Sequence, residues 1–232
     1  MTGDKSEDSE IHRQFEALTA GMALDDLRRL TNNLSMIGVP GIGRTPRPHL
    51  RCPRRQEPAL FRVRVDLDYA QPPIWRRLDV RSDIGLDAFH QVLQAAFGWA
   101  DGHLHRFALG GSPFDRHSEL FLCPYDAEEG EDDGTPASEA TLDETLAALG
   151  DMLRYCYDYG DPWDLTIKLE KVLLLPDQAT AAICVDGRRA APPEDCGGLR
   201  EAEELAEVLE DPAYFDVAEI NQSLNDPYFP AA

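Results

Sequence analysis

His103, His105, Phe107 and Leu109 stand at alternate positions of one short stretch. On a strand, side chains at i and i+2 leave the same face, so this spacing aims two imidazoles at one point. Asp158, Asp161 and Asp195 add carboxylates further along, with Cys196 beside the last. Imidazole plus carboxylate suits zinc, manganese or iron. The same aspartates are candidates for acid–base catalysis, in which one carboxyl donates a proton and a second accepts one. Each reading has a plainer counterpart. The histidines could be half-buried strand residues bonded to backbone, and Asp158 and Asp161, which bracket Tyr159-Gly160, could simply form a turn.

Binding chemistry is carried by Trp75, Arg76, Trp99, Tyr157 and Trp163. The aromatics could line a recognition surface or fill a core, since they bury the most area per residue. Arg76 and Arg77 could each fork onto a phosphate or carboxylate, but strand neighbours face opposite sides, so at most one lines a given site. Cys196 is a poor nucleophile on paper, because Glu194 and Asp195 beside it disfavour its thiolate.

Charge narrows the partners. Lys and Arg number 22 against 43 Asp and Glu, a net charge of −21 over 232 residues. Such a chain repels phosphate backbones and anionic lipid. The exception is the cluster Arg44, Arg47, Arg51, Arg54 and Arg55, which could touch nucleic acid or an acidic partner, or dock on the chain's own acids. Five cysteines without a CxxC pair predict reduced thiols and a cytoplasmic protein. No secretory segment and no membrane span are expected.

The elements that must position these residues read as α+β. Helical spacing of Ile11, Phe15, Leu18 and Met22, then of Leu27, Leu30 and Leu34, predicts a helical extension over 1–37. An Arg/Pro/Gly-rich linker follows over 38–57, and the main domain over 58–232. Phe61, Val63, Val65 and Leu67 alternate with charged residues as a half-buried strand. Pro72-Pro73 breaks it, and Ile74–Val80 returns as its hairpin partner. Leu86, Phe89, Leu93, Ala96 and Phe97 mark one helix face, stopped by Gly98. His103–Leu109 completes a β-β-α-β opening in a mixed or antiparallel sheet with a covering helix. Further strands are predicted near 117–123, 153–159, 164–174 and 181–185. Six acids between Asp126 and Asp133 predict a disordered loop. Thr141-Leu142-Asp143-Glu144 opens a short helix as a capping box, and two helices near 200–209 and 215–224 close the chain.

Three motif groups then stand out together: Pro72-Pro73-Ile74-Trp75-Arg76-Arg77-Leu78; His90 with Gln94-Ala95-Ala96-Phe97-Gly98-Trp99 and His103-Leu104-His105; and Tyr157-Asp158-Tyr159-Gly160-Asp161 with Trp163, Asp186-Gly187-Arg188-Arg189 and Pro192 to Gly198. At these residues the chain resembles the plasmid pRiA4b ORF-3-like family, also labelled insertion-element passenger TnpR proteins. The resemblance spans about residues 58–225. It implies an α+β domain found on plasmids, mobile elements and bacterial chromosomes, with no established activity. Two positions depart from the family pattern. Relatives commonly carry histidine where this chain has Leu165, and many carry cysteine where it has Ala191. A ligand essential at either place would be missing. The resolvase label finds no support in the residues: neither a serine nucleophile among arginines nor an arginine-lined tyrosine is legible.

The resulting expectation is a non-enzymatic binding or accessory module whose partner is a protein, met through the Trp- and Pro-bearing face. The alternative is a metal-dependent, hydrolase-like enzyme using His103, His105, Asp158, Asp161 and Asp195. A DNA-binding accessory protein, acting through the N-terminal helices and Arg44–Arg55, stands third.

Overall fold

Alternation in Leu60–Leu67 (β1) sends Phe61, Val63, Val65 and Leu67 to one side, all buried, and Arg62, Arg64 and Asp66 to the other. Trp75–Arg81 (β2) returns antiparallel, opposing Val63 with Leu78 and Asp66 with Trp75. Leu86–Phe97 (α1) then lays an apolar stripe on the buried side, and its last turn closes at Gly98, whose positive φ of 72° suits a residue without Cβ. His105–Leu109 (β3) and Glu119–Leu122 (β4) pair antiparallel, and Pro124–Glu129 (α2) follows. Thr135–Pro136 (β5), a 3-10 turn at Ala137–Glu139 and Leu142–Thr145 (α3) come next. Met152–Tyr157 (β6), Trp163–Leu173 (β7) and Ala182–Arg188 (β8) complete the sheet; Ala202–Val208 (α4) and Val217–Leu224 (α5) end the chain.

This is the picture given by a computed structural model, which describes residues 46–130 and 132–226. The predicted helices over 1–37, and Arg44, lie outside the described residues. From Pro46 onward the chain forms a compact unit.

The sheet order is β5-β4-β3-β6-β7-β1-β2-β8, antiparallel except at the β4–β5 pair, so the chain is α+β with a mixed sheet. α1 covers one face. Phe61, Leu78, Phe89, Leu93, Phe107, Tyr155, Leu165 and Ile167, none more than 1% exposed, fill the layer between. Each such side chain contributes ~1.5–3 kcal/mol by leaving water. α5 packs on β8 and on α1. Its Asn221 side chain accepts from Cys184 N at 2.7 Å and donates to Cys184 O at 2.9 Å, taking the place of a neighbouring strand along β8.

Among the described residues, the opposite face stays open over β7, β1, β2 and β8 and is laced with ion pairs. Arg62 forks onto Asp79 at 2.7 and 2.8 Å, Arg77 reaches Glu170 and Asp186 at 2.7 Å each, and Arg154 meets Asp68 at 3.1 Å. Trp75 lies among them with two guanidinium groups against it, Arg64 at 4.3 Å and Arg77 at 5.0 Å from its rings.

The acidic stretch after Asp126 is not the loop expected from its composition. Asp126 lies in α2, and Arg106, nearly buried on β3, binds Asp126 at 2.7 Å and Asp132 at 2.8 Å. One buried cation thus organises acids that a composition count treats as mutually repelling. The residues just before β1 are also bonded to the domain. Glu119, 5% exposed, accepts from Leu50 N at 2.5 Å and from Arg51 N and Nε at 3.0 and 2.7 Å, and pairs with His49 at 3.0 Å. Arg47 donates to Asp115 O at 2.6 Å, and Arg54 to Thr141 Oγ1 at 3.0 Å.

Candidate functional site

Tyr157, at the end of β6 and fully buried, faces His105 on β3 and Trp163 on β7 across the ladder. Trp99 stacks on it, centroids 5.3 Å apart, and on Phe97 at 5.0 Å. The Trp99 indole donates to Pro192 O at 3.0 Å. Gly102 N donates to the Tyr157 hydroxyl at 2.9 Å, and that hydroxyl donates to Glu194 Oε1. Glu194 Oε2 accepts from Ala100 N at 3.1 Å. The Arg200 guanidinium lies 4.9 Å from the Trp163 rings and donates to Gly198 O at 2.7 Å and to Pro162 O. Motifs some hundred residues apart in sequence therefore meet at one end of the sheet and bond to one another.

Arg76 is pinned in the same region. It is 4% exposed and donates to Ala96 O at 2.9 Å, Trp75 O at 2.9 Å and Arg188 O at 3.2 Å. Ala96 lies in the last turn of α1, where free carbonyls carry the negative end of the helix dipole. Burial lowers the Arg76 pKa to about 10. Its role is to close α1 rather than to meet a ligand. Trp99, Tyr157 and Trp163 are likewise at most 3% exposed. Of the five residues expected to bind, Trp75 alone reaches the surface to any extent; the other four shape the site from beneath.

The two histidines separate. His103 precedes β3 and lies between two carboxylates, its Nδ1 3.7 Å from Asp158 and its Nε2 3.3 Å from Asp195. Asp158 also accepts from Gly160 N at 3.0 Å and Asp161 N at 3.2 Å, so it is a turn former as well. Asp161 joins neither this group nor the next; its carboxylate lies against Gly198. His105 belongs instead with His90 and Asp101. The predicted i, i+2 pairing fails because the strand begins at His105, leaving His103 in the bend before it.

His90, Asp101, Gln94 and Tyr155 close a ring of hydrogen bonds. His90 Nε2 lies 2.7 Å from Asp101 Oδ1, and because a carboxylate only accepts, that nitrogen carries the proton. His90 Nδ1 then accepts from the Tyr155 hydroxyl at 2.8 Å. Tyr155 accepts from Gln94 Nε2 at 3.1 Å, and Gln94 Oε1 accepts from Asp101 N at 3.0 Å. The His105 ring stacks on His90, but its Nε2 is buried without a partner. Burial, and then the neighbouring His90, lower the His105 pKa to about 3. His90 and Gln94 share the apolar stripe of α1 with Leu86 and Phe89, a polar intrusion that spacing alone could have flagged. Nothing in the sequence pointed to Asp101, whose positive φ of 57° turns the chain back toward α1.

Thiol chemistry has little support here. Burial raises the pKa of Cys52, Cys156, Cys184 and Cys196, and Asp161 adds to this at Cys196. All five cysteines are free.

Fold and site together define an α+β domain with one helix-covered and one open sheet face, its motif residues gathered around a buried tyrosine. The chain belongs to the family described as plasmid pRiA4b ORF-3-like protein, whose model matches residues 59–232. It is 32% identical over 161 residues to the uncharacterized protein y4hQ of Sinorhizobium fredii (strain NBRC 101917 / NGR234), covering 67% of this chain and 76% of that protein. It is also similar to the crystal structure of MM3350, a protein of unknown function from Methanosarcina mazei Go1, at 29% identity and a TM-score of 0.57, covering 72% of this chain and 98% of that one. Among the described residues, no helix is long and apolar enough to cross a membrane.

Proposed function

We propose that this protein is a non-enzymatic binding module, an accessory protein of plasmid or mobile-element origin, that recognises a protein partner through the open face of its sheet. The observation that carries this reading is Trp75 on that face with two guanidiniums, Arg64 and Arg77, against its rings. Trp and Arg are among the residues that dominate protein–protein contact energies, and cation–π contact helps order the Trp before binding. Met152 and Ile183, both over 40% exposed, add apolar surface alongside the paired charges. A face with its own acids and bases interleaved suits a protein surface better than a polyanion. The bonds that hold Arg47, Arg51 and Arg54 to the domain further weaken the DNA-binding alternative. The upward pKa shifts of the buried thiols and of Tyr155, Tyr157 and Tyr159 argue against a thiol or tyrosine nucleophile.

The test is co-purification from the host, comparing the full chain with Trp75→Ala/Arg77→Ala and with His103→Ala, each checked for folding by circular dichroism. A partner kept by the wild type and by His103→Ala, but lost from the double variant, supports the reading. A partner that survives the double variant, or no partner at all, sinks it.

A further inference from the structure

On the helix-covered side of the sheet, one donor atom from each of His90, Asp101 and His105 lies within 4.8 Å of the other two. We propose that these three residues bind a single divalent transition-metal ion, of the class of zinc, at the solvent-facing edge of the hydrogen-bonded ring. The site uses the opposite side of the sheet from Trp75 and does not depend on the partner reading above.

Three observations carry it. First, the donor set is two imidazoles and one carboxylate, which matches zinc and its first-row neighbours, and a protein with three such ligands leaves a position open. Second, His105 is 6% exposed and keeps a buried Nε2 that none of the described residues satisfies. Leaving a buried polar atom without a partner is costly, which favours taking a ligand there. Third, the surroundings hold the donors as an outer shell would. Tyr155 bonds the far nitrogen of His90 at 2.8 Å, Gln91 Nε2 donates to Asp101 Oδ2 at 2.9 Å, and Gln94 holds the Asp101 amide at 3.0 Å. The Asp101 side chain, 41% exposed, gives an ion its route in.

Loading requires two adjustments. The His90 and His105 rings lie within 11° of parallel, so their in-plane lone pairs do not converge. Turning the His105 ring would cost its Nε2 no hydrogen bond, though the ring must move against Phe107 and Tyr155. For a metal to take the His90 Nε2 lone pair, the imidazole proton must shift to Nδ1, and the Tyr155 hydroxyl, which donates to Nδ1 in this arrangement, must turn its hydrogen away and accept there instead; no net proton is released.

The experiment is calorimetric titration of the EDTA-treated full chain with zinc chloride near neutral pH, with metal counted by mass spectrometry. The variants are His105→Ala, Asp101→Asn and His103→Ala, and each is first checked for a cooperative thermal transition. Asn tolerates the left-handed backbone at position 101, so that variant remains informative if His105→Ala does not fold. The expected result is one zinc per chain, bound equally by His103→Ala and at least tenfold more weakly by Asp101→Asn and His105→Ala. Failure of the wild type to bind stoichiometric zinc would overturn the proposal. So would binding that survives Asp101→Asn but is lost in His103→Ala, since that places the ion between Asp158 and Asp195.

Discussion

The imidazoles of His90 and His105 lie face to face, ring centroids 3.5 Å apart, one from the helix and one from the sheet beneath it. Each ring closes off part of the other's access to water. The pair therefore couples α1 to β3, and acid sensitivity follows from the buried His105.

In metal-free protein, stability should fall as pH drops from about 6.5 toward 3. Burial depresses the His105 pKa to about 3, from an ordinary value of 6.5. Between those values the unfolded chain takes up a proton that the folded chain refuses, so stability is full above 6.5 and is lost going down. A single such group contributes up to ~1.4 kcal/mol per pH unit. His105→Phe keeps a stacked ring but cannot titrate. Urea unfolding at pH 7 and pH 4.5 should show a smaller difference for this variant than for the wild type; equal differences would remove His105 as the cause.

Glu119→Gln should release the segment before β1. Burial pushes the Glu119 pKa up, but bonds from Leu50 N, His49 and Arg51 outweigh it and hold it below its usual value. Its stabilisation is therefore present above the ordinary glutamate pKa and fades as pH falls below it. The neutral amide keeps the shape but loses charge-assisted bonds, a cost of ~1–3 kcal/mol. Limited proteolysis should cut within residues 46–57 of the variant sooner than in the wild type.

Arg106→Met should unfasten α2. The variant leaves Asp126 and Tyr159 with an apolar neighbour in place of a cation bonded at 2.7 and 2.9 Å. Removing one partner of a nearly buried pair costs ~3–5 kcal/mol. Hydrogen exchange should accelerate across 124–136 while β1 and β7 keep their protection; uniform loss of protection would mean that Arg106 supports the whole core instead.

Gly187→Ala should loosen α5. An added Cβ would come within 2.4 Å of the Phe215 ring and 3.0 Å of Trp75 O, on a rigid strand with little room to move. Overpacking of this kind costs ~1–3 kcal/mol. A lower melting temperature with faster proteolysis near 210–226 is the expected outcome, and an unchanged protein would show that Phe215 swings aside freely.

The fold was legible where periodicity speaks. Alternation in Phe61–Leu67 and in Leu165–Leu169, and the helical stripe from Leu86 to Phe97, each became the element expected. The acidic stretch was misread because its cation, Arg106, lies twenty residues earlier and the sequence does not reveal who reaches whom. The candidate site was legible as residue types but not as groupings. His103 and His105 look like a pair on paper, yet a strand that begins two residues later sends them to different carboxylates. Asp101 took its place through a left-handed backbone turn, a property invisible to spacing.

The sheet has two outer edges, and both are blunted. At one, β5 is two residues long and ends in Pro136, which has no amide hydrogen to offer. At the other, Asn221 occupies the outward backbone groups of Cys184 on β8. A stray strand from another molecule thus finds a shortened ladder to extend, which disfavours runaway polymerisation through this sheet. The protein can present its open sheet face to a visitor with less risk of becoming a template for fibres.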